Sequence, residues 1–432
     1  MKMTSKHFEM TTASTRIRIT VGILVVGILF LGHLVSAEPW MAAPQTIGAN
    51  GDLEGRPAVA ADTTHDEYLV VWTDVSLGQF GISGVRVGSD GLPIGSPFMI
   101  SAVSDNVRID ADVAWDPLFN RYLVVWQYDY SGNGTDWDVE GRFIPRTGPS
   151  ASLPVFSIHN PSSSSQINPA VTYAFNPGEF LIVWTEYLPS NFSVWGRRLS
   201  YEGTFPGGAF TVVAGTDDYL QPRVAWNPIG LRYLVVFTRY PSGEDSGVYG
   251  TLLYYDGVID QALVGIADWP GNENYPDVAL ARSKFLVSWH EDDNGDVFAR
   301  AISCTGTAGP LFTLVTGATI SERPTLDCSR QAAECLVTWE QEYDCKLTIN
   351  LGVFGAITKM DGAPTASLQI HWTLDQLAAL RPAVAFNNHG RALVTWEAQQ
   401  LDTIQWNIDG RLVGNRLFAD DFESGDTWYW NQ

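Results

Sequence analysis

The sequence predicts an all-β fold, namely a seven-bladed β-propeller of four-stranded antiparallel blades. Three observations support this prediction: one apolar motif occurs seven times, its copies lack helical periodicity, and a repeat of roughly 50–58 residues suits one blade. The copies are EYLVVWTD at 67–74, RYLVVWQY at 121–128, EFLIVWTE at 179–186, RYLVVFTR at 232–239, KFLVSWHE at 284–291, ECLVTWEQ at 334–341 and RALVTWEA at 391–398. Glycine (40 residues) and tryptophan (16) are plentiful, as in a turn-rich β protein with an aromatic core.

A shorter strand precedes each copy, and proline opens six of these seven strands. Proline lacks an N–H group, so it is tolerated at the first position of a strand and is expected to hold its predecessor extended. The first strands are RPAVA from Arg56, DADVA from Asp110, NPAVT from Asn168, QPRVA from Gln221, YPDVA from Tyr275, RPTLD from Arg323 and RPAVA from Arg381.

The apolar motif predicts the second strand of each blade and the stacking of the blades. A continuous apolar run, unlike an alternating one, must be covered on both faces. Sheets stacked face to face provide that cover, and a closed ring leaves no face open. Third strands follow a polar loop, as GVRV at 84–87, GRFI at 141–144, GRRL at 196–199, GTLL at 250–253, ARAI at 299–302, GAIT at 355–358 and GRLV at 410–413.

A fourth strand follows in six repeats, as SPFMIS at 96–101, PVFSI at 154–158, AFTVVA at 209–214, ALVGIA at 262–267, PLFTLV at 310–315 and SLQIHW at 367–372. The seventh repeat runs almost directly into the C-terminal tail. The segment APQTIGA at 43–49 precedes the first proline strand much as SPFMIS precedes the second. We therefore expect this N-terminal segment to complete the last blade and close the ring, within a propeller domain spanning 38–418.

The N-terminus has the features of a secretion signal, predicted over 1–37. Basic residues precede an apolar run at 19–32, and Val35-Ser36-Ala37 matches a small-residue cleavage pattern. The run is roughly 14 residues, short of the ~20 of a membrane-spanning helix; an uncleaved anchor is the alternative. The net charge of −22 disfavours binding to nucleic acid or an anionic membrane surface. We expect an exported monomer, secreted, periplasmic or at the cell surface, with no membrane span after cleavage.

The order P-x-V-A, Y-L-V-V-W and G-R-x-x resembles the propeller repeats of secreted bacterial proteins, many of them uncharacterised. The resemblance covers nearly all of 38–418 and implies the fold without a particular activity. The tail 419–432 contains ADDFESGDTWYW, which resembles a short C-terminal motif of many secreted bacterial proteins. This second resemblance implies export and recognition of the tail by sorting or surface machinery. The alternative is an acidic, aromatic end that folds against the barrel rim.

The four cysteines lie in repeats five and six without C-x-x-C spacing, which in an exported protein predicts disulfides. Cys328 and Cys335 stand where other repeats pair two aromatic residues across the first hairpin, and cross-strand partners are close enough to bridge. We therefore predict a Cys328–Cys335 disulfide. Pairing of Cys304 with Cys345 would follow by elimination, but the two positions are expected on opposite faces, so their pairing stays open.

The loops between second and third strands form the predicted ligand face, and they are acidic. Asp136 and Asp138 are its candidates in repeat two. In repeat five, Asp292, Asn294 and Asp296 stand at alternate positions, as Ca²⁺ ligands can. A tight hairpin turn explains the same residues, since the EF-hand glycine is displaced and no distal glutamate follows. We therefore predict no cofactor, with calcium as the alternative.

Arginine precedes the strand-opening proline in repeats one, six and seven, which become neighbours if the ring closes. Arg56, Arg323 and Arg381 could thus form a carboxylate or sulfate site at the channel mouth. A competing interpretation is cross-strand ion pairing, which explains the pattern better. The acids that stand opposite the three arginines are Asp74, Glu340 and Glu397.

Catalytic arrangements are sparse, because G-x-S-x-G, H-E-x-x-H and a phosphate loop do not occur. His290, beside Glu291, is the one histidine expected on the ligand face. We therefore predict a non-catalytic, exported propeller that binds a protein or a glycan through its loop face. The alternative is a carbohydrate-active enzyme, a polysaccharide lyase or glycoside hydrolase, with His290 and Glu291 as catalytic candidates at the central funnel.

Overall fold

The computed structural model describes most of the chain between Trp40 and Gly414, within one compact unit, Pro39–Gln432. The described residues are 40–49, 53–76, 79–101, 106–150, 152–161, 164–188, 191–317, 320–330, 334–344, 349–359, 364–365, 367–371, 376–400 and 405–414. The predicted signal peptide, the tail 419–432 and Cys345 lie outside the described residues.

Within these residues the chain forms 29 β-strands and no helix, so the predicted all-β class is confirmed. Two short strands come first, β1 (Trp40–Met41) and β2 (Gln45–Gly48). Repeats 1 to 3 comprise β3 (Leu53–Asp62), β4 (Glu67–Ser76), β5 (Gln79–Val87) and β6 (Pro93–Met99); β7 (Arg108–Asp116), β8 (Arg121–Asp129), β9 (Trp137–Pro145) and β10 (Phe156–His159); β11 (Ser165–Ala174), β12 (Glu179–Leu188), β13 (Asn191–Ser200) and β14 (Phe210–Val213).

Repeats 4 to 7 continue the same order of strands. They comprise β15 (Asp218–Asn227), β16 (Arg232–Tyr240), β17 (Gly247–Tyr254) and β18 (Ile259–Ala267); β19 (Glu273–Ala281), β20 (Lys284–Glu291), β21 (Asp296–Ser303) and β22 (Ala308–Val315); β23 (Ser321–Cys328), β24 (Glu334–Asp344), β25 (Ile349–Lys359) and β26 (Leu368–His371); β27 (Gln376–Phe386), β28 (Arg391–Gln400) and β29 (Trp406–Gly414). The second strand of every repeat contains the apolar motif.

Repeats 2 to 5 form four separate four-stranded antiparallel sheets, as predicted. Repeats 6, 7 and 1 differ, because two parallel bridges of one residue pair each join them, with β1 and β2, into a mixed 13-stranded sheet. The bridging pairs are Leu351↔Ala378 and Trp406↔Leu53. Each joins the start of a third strand to the start of the next first strand, since both strands begin at the same end of the molecule.

The N-terminal strand β2 pairs antiparallel with β29 of repeat 7, where Gln45 lies opposite Gly410 and Gly48 opposite Ile408. This is the position that the fourth strand takes in the other repeats, such as β26 on β25. Ile47 is buried in one cluster with Ile408 of repeat 7 and Trp72 of repeat 1. The segment therefore lies on the last repeat and contacts the first.

The apolar motif is buried on both faces, as its continuous pattern predicts. The tryptophans that are fully buried in it are Trp72, Trp126, Trp184, Trp289, Trp339 and Trp396. In repeat 2, Trp126 shares a cluster with Val71 of repeat 1, whereas Val125 shares one with Ile182 of repeat 3. The first strands contact one another in chain order, and β27 contacts β3. The sheets thus stack face to face with their first strands side by side, which is the arrangement of a β-propeller.

The predicted Cys328–Cys335 disulfide is confirmed, and its two cysteines are register partners across the first hairpin of repeat 6. Aromatic pairs occupy the same place elsewhere, with ring centroids 4.6 to 4.9 Å apart. These pairs are Trp115–Tyr122, Tyr173–Phe180 and Trp226–Tyr233. Cys304 is a half-buried free thiol.

Replacing both Cys328 and Cys335 with alanine is expected to lower the free energy of unfolding by about 2–3 kcal/mol, because the bond closes a loop between residues seven apart. Urea denaturation with and without a reductant measures this loss. The reductant should shift the midpoint of the wild type and of a Cys304→Ala control, but leave the double variant unchanged. A wild-type midpoint insensitive to full reduction would contradict the prediction.

Candidate functional site

Residues of all seven first strands line a central channel, and a cavity of about 280 Å³ lies where these strands end. Its wall combines aliphatic residues such as Val59 and Val278 with the aromatic residues Trp115, Tyr173 and Trp226. We call this the hairpin end, because the hairpins between first and second strands lie there. The cavity is therefore at the end opposite the face on which the sequence predicts the ligand.

At the other end of the channel, the residue that begins the proline motif has a left-handed backbone in every repeat. We call these seven residues the polar mouth: Arg56 (φ 55°), Asp110 (55°), Asn168 (51°), Gln221 (57°), Tyr275 (49°), Arg323 (48°) and Arg381 (48°). The prediction that proline holds this residue extended is wrong. A β-bulge shifts the register here in each repeat, for example between Gly55 and Ala58, and it imposes a conformation that non-glycine residues otherwise avoid.

Side chains of the preceding repeat accept the backbone N–H group of five polar-mouth residues. The pairs are Asn168 to Gln127 (2.9 Å), Tyr275 to Gln221 (3.3 Å), Arg323 to His290 (3.2 Å), Arg381 to Glu340 (2.7 Å) and Arg56 to Glu397. Four of the five acceptors directly follow the buried tryptophan of the apolar motif. These bonds join successive repeats and also join repeat 7 to repeat 1.

Two arginines of the polar mouth form the ion pairs that the sequence predicts. Arg323 Nη1 lies 3.4 Å from Glu340 Oε1, and Arg381 Nη1 lies 2.8 Å from Glu397 Oε1. Both carboxylates are buried, whereas the arginine side chains are 36% and 38% exposed. Burial raises the pKa of Glu340, against the opposing effect of Arg323. The two buried glutamates thus have a structural role, whereas the partly exposed guanidinium groups lie at the channel mouth.

The third arginine, Arg56, pairs with Asp110 of the following repeat rather than with Asp74. Asp74 accepts a hydrogen bond from the Ser83 hydroxyl at 2.7 Å instead. Cross-strand pairing within one repeat does not predict this partner, because Asp110 belongs to the next repeat. The three arginines still follow one another around the mouth in repeats 6, 7 and 1.

His290 holds two repeats together and is only 2% exposed. Its Nδ1 accepts the Arg323 N–H at 3.2 Å, so the ring proton is on Nε2, which donates to Asp292 Oδ1 at 2.7 Å. This hydrogen bond is the main cause that lowers the pKa of Asp292. Tyr275 stacks on the imidazole with centroids 5.3 Å apart. Both ring nitrogens are therefore occupied, in the same linking role as Gln127 and the two buried glutamates.

Glu291 caps its own hairpin turn, since it accepts the N–H groups of Asp293 (3.0 Å) and Asn294 (3.2 Å). The three calcium candidates point to separate partners. Asp292 bonds His290, Asn294 donates to Glu291 at 2.9 Å, and Asp296 accepts the Gly317 N–H at 2.8 Å. Among the described residues, no three His, Cys, Asp or Glu side chains group as metal ligands. A tight hairpin turn therefore explains why these residues occur between Asp292 and Asp296.

Asp136 directly precedes β9 and Asp138 is the second residue of that strand, which lies two strands outside the channel wall formed by β7. Asp138 is buried opposite Tyr128, and burial raises its pKa to about 7, with smaller contributions from Asp136 and Glu140. Neither aspartate reaches the polar mouth, so the structure does not bring them together with the three arginines.

Three aspartates of the channel wall were not predicted as site residues, although each lies in the five-residue motif that begins at a polar-mouth residue. Each carboxylate accepts the N–H group of the residue that follows it. Each also accepts an N–H group from the next repeat, namely that of Val171 for Asp112 (2.8 Å), Leu326 for Asp277 (2.8 Å) and Phe386 for Asp327 (2.7 Å). Burial raises the pKa of all three, to about 6 for Asp277 and Asp327. The hydrogen bonds of these three aspartates join neighbouring repeats midway along the channel.

Glu273 gives a pH-dependent prediction. It is fully buried opposite Glu291, and neither carboxylate oxygen accepts a hydrogen bond from another described residue. Burial, aided by nearby carboxylates, raises its pKa from 4.5 to about 8. The folded state therefore holds this proton more tightly than the unfolded state. Its stabilising contribution is complete below about pH 4.5 and is lost as the pH rises towards 8.

Glu273→Gln is therefore expected to raise the free energy of unfolding at pH 8 by more than about 1.4 kcal/mol, the value of one pKa unit, with little change at pH 4.5. Urea denaturation at both pH values measures this difference. Glu244→Gln, at an exposed loop position, is the matched control and should change neither value. Equal pH dependence of wild type and Glu273→Gln would contradict the prediction.

Comparisons with known proteins point to the fold. No protein-family model matches the sequence, and no curated protein matches it. A protein of unknown function from Dyadobacter fermentans has a TM-score of 0.50 at 11% identity, over 72% of this chain and 96% of that chain. NanB sialidase from Streptococcus pneumoniae has a TM-score of 0.49 at 9% identity, over 87% and 71%. A Hadza microbial sialidase has a TM-score of 0.48 at 10% identity, over 79% of this chain and 74% of that chain.

At 11% identity the first likeness concerns the fold alone, and the two sialidase likenesses, below a TM-score of 0.5, support no conclusion about activity. None of the described residues forms a helix long and apolar enough to cross a membrane.

Proposed function

We propose that this protein is an exported, non-catalytic β-propeller that binds a neutral glycan at the polar mouth. The observation that supports this proposal most is a row of three half-exposed arginines, each paired with a carboxylate: Arg323, Arg381 and Arg56. The pairs cancel most of the local charge, so an anionic ligand gains little there. The guanidinium N–H groups that the carboxylates leave unused can donate to sugar hydroxyl groups.

An aromatic platform lies beside these donors. Tyr275 is 39% exposed, its ring is stacked on the buried His290, and the Arg323 guanidinium lies 5.7 Å from the ring centroid. A ring fixed in this way offers apolar contact area at little entropic cost, next to polar groups that set orientation. This combination suits the apolar face and polar rim of a pyranose better than a flat protein surface.

The enzyme alternative requires a group that is free to transfer a proton at the channel. Both nitrogens of His290 are engaged, and Glu291 is committed to its hairpin turn. The channel aspartates, such as Asp277, accept backbone N–H groups from two repeats. These engagements favour binding over turnover.

The proposal includes a closed ring of seven blades in an exported monomer. Pairing of β2 with β29 and contact of β27 with β3 support closure. The Cys328–Cys335 disulfide supports an oxidising compartment, as does the predicted signal peptide over 1–37.

A glycan array, followed by a degradation assay on every glycan bound, tests the proposal. We expect neutral oligosaccharides to bind and to be recovered intact. Turnover of a bound glycan would overturn the non-catalytic assignment. A preference for uronic, sialic or sulfated glycans would overturn the neutral one and favour an anion site at the three arginines.

A further inference from the structure

The hairpin end of the channel carries exposed apolar side chains on three neighbouring repeats. Phe119, Phe175 and Ile229 lie on the first hairpins of repeats 2, 3 and 4, and Phe175 and Ile229 are 63% and 71% exposed. Phe119 also stacks on the exposed Tyr201, with centroids 5.1 Å apart. Soluble monomers seldom leave such residues clustered on adjacent loops unless something covers them. We call these three residues the hairpin patch.

The cavity of about 280 Å³ opens beside this patch, and Phe175 belongs to its wall. A dry cavity of about 150 Å³ is already large enough to bind benzene. Its walls combine apolar side chains, including Trp115 and Trp226, with polar ones such as Asn387 and Arg330. An aromatic side chain such as indole therefore fits the space and its chemistry.

Cations lie on the next two repeats at the same end. Arg282 and Lys284 belong to the first hairpin of repeat 5 and its exit, and Arg330 to that of repeat 6, where it lines the cavity. All three are exposed, and within the described part of the chain none forms an ion pair. They stand out in a protein with a net charge of −22. An occupant of this end should therefore combine acidic and aromatic residues.

The chain itself brings such a segment to this end. Gly414 is the last described residue, and it pairs with Arg391, which directly follows the first hairpin of repeat 7. Residues 415–432 come next and lie outside the described residues. They contain four acids and the run Trp428-Tyr429-Trp430.

The segment is long enough to reach the cavity. Its 18 residues span up to roughly 59 Å when extended, at about 3.3 Å per residue. The channel wall lies only two strands inward from β29, or about 10 Å at ~4.8 Å per strand.

We propose that the segment 415–432 docks on the hairpin end of its own chain. Its C-terminal aromatic run covers the cavity and the hairpin patch, and its acids face Arg282, Lys284 and Arg330. The inference is independent of the glycan site, since the two lie at different ends of the first strands.

Cysteine cross-linking in the full chain tests this docking. We would combine Trp430→Cys with Phe175→Cys in a background carrying Cys304→Ser and Cys345→Ser, oxidise mildly, and measure the disulfide by mass spectrometry. Phe175 is exposed, so its replacement leaves the core intact. The control combines Trp430→Cys with Tyr130→Cys, an exposed position in the loop between second and third strands. We expect an intramolecular bond with Phe175→Cys at a yield at least five times that of the control.

The other outcomes overturn the proposal in distinct ways. Intermolecular bonds between Trp430→Cys and Phe175→Cys would show that a second copy occupies the patch. Equal yields of the Phe175→Cys and Tyr130→Cys bonds would show that the segment does not dock. The absence of both bonds would show the same. As a test of the charge contacts, Arg330→Glu should lower the Phe175→Cys yield in low salt but not in 1 M salt, where such contacts are screened.

Discussion

Replacing Trp72 with alanine is expected to lower the free energy of unfolding by about 3–5 kcal/mol, the largest single effect that we predict. Trp72 is fully buried, and its cluster includes Ile47 of the N-terminal strand and Leu393 and Ile408 of repeat 7. Alanine would therefore leave a cavity where the first repeat meets the N-terminal strand and the last repeat. Equilibrium urea denaturation at 25 °C measures the loss.

The matched control is Trp72→Phe, because repeat 4 carries Phe237 at the equivalent position, also fully buried. Trp72 Nε1 finds no hydrogen-bond partner among the described residues, so phenylalanine sacrifices no such bond. We expect Trp72→Phe to cost less than half as much as the alanine variant. If both variants unfold at the wild-type midpoint, Trp72 does not lie between packed sheets and the stacking of repeats 7 and 1 is wrong.

Glu397→Ala is expected to cost about 1–3 kcal/mol, because it leaves the backbone N–H of Arg56 and the Arg381 guanidinium without their buried acceptor. Glu397 Oε1 accepts the backbone N–H of Arg56 in repeat 1 and also pairs with Arg381 Nη1 at 2.8 Å. The substitution thus removes a link between the last and first repeats as well as an ion pair. Thermal and urea unfolding of the variant measure the effect.

Glu397→Gln is the control, since Gln127 already accepts the Asn168 N–H at 2.9 Å in the equivalent place. Glutamine keeps an acceptor for the Arg56 N–H and loses only the charge. We expect it to retain most of the stability that alanine loses. Equal losses for glutamine and alanine would mean that charge, and not the hydrogen bond between repeats, matters at this position.

The fold could be predicted from the sequence because its main signal is local and repeated. The run from Tyr68 to Trp72 is apolar at every position, so it needs cover on both faces, and seven copies supply it. The Cys328–Cys335 pair was predictable for the same reason, as alignment of repeats places it on known cross-strand positions. The parallel bridges at Leu351 and Trp406 were not, because they depend on how neighbouring strand ends meet.

The polar mouth was harder to predict, since its geometry arises between repeats. A proline motif alone favours an extended predecessor, and only the bulge in the folded sheet makes Arg56 and its equivalents left-handed. His290 is a catalytic candidate in the sequence because none of the other copies has histidine there. Its hydrogen bonds show that histidine, glutamine and glutamate perform one structural task at that position. A unique residue in a repeat is therefore weak evidence for catalysis.

The central claim, a neutral-glycan site at the polar mouth, is tested most directly by calorimetric titration of the best oligosaccharide from the array into three proteins. These are the wild type, Tyr275→Ala and Phe175→Ala, the last altering an exposed aromatic residue at the hairpin end. We predict that Tyr275→Ala raises Kd at least tenfold, or about 1.4 kcal/mol, while Phe175→Ala leaves it unchanged. Wild-type affinity in Tyr275→Ala together with a loss in Phe175→Ala would contradict the claim and move the site to the other end of the channel.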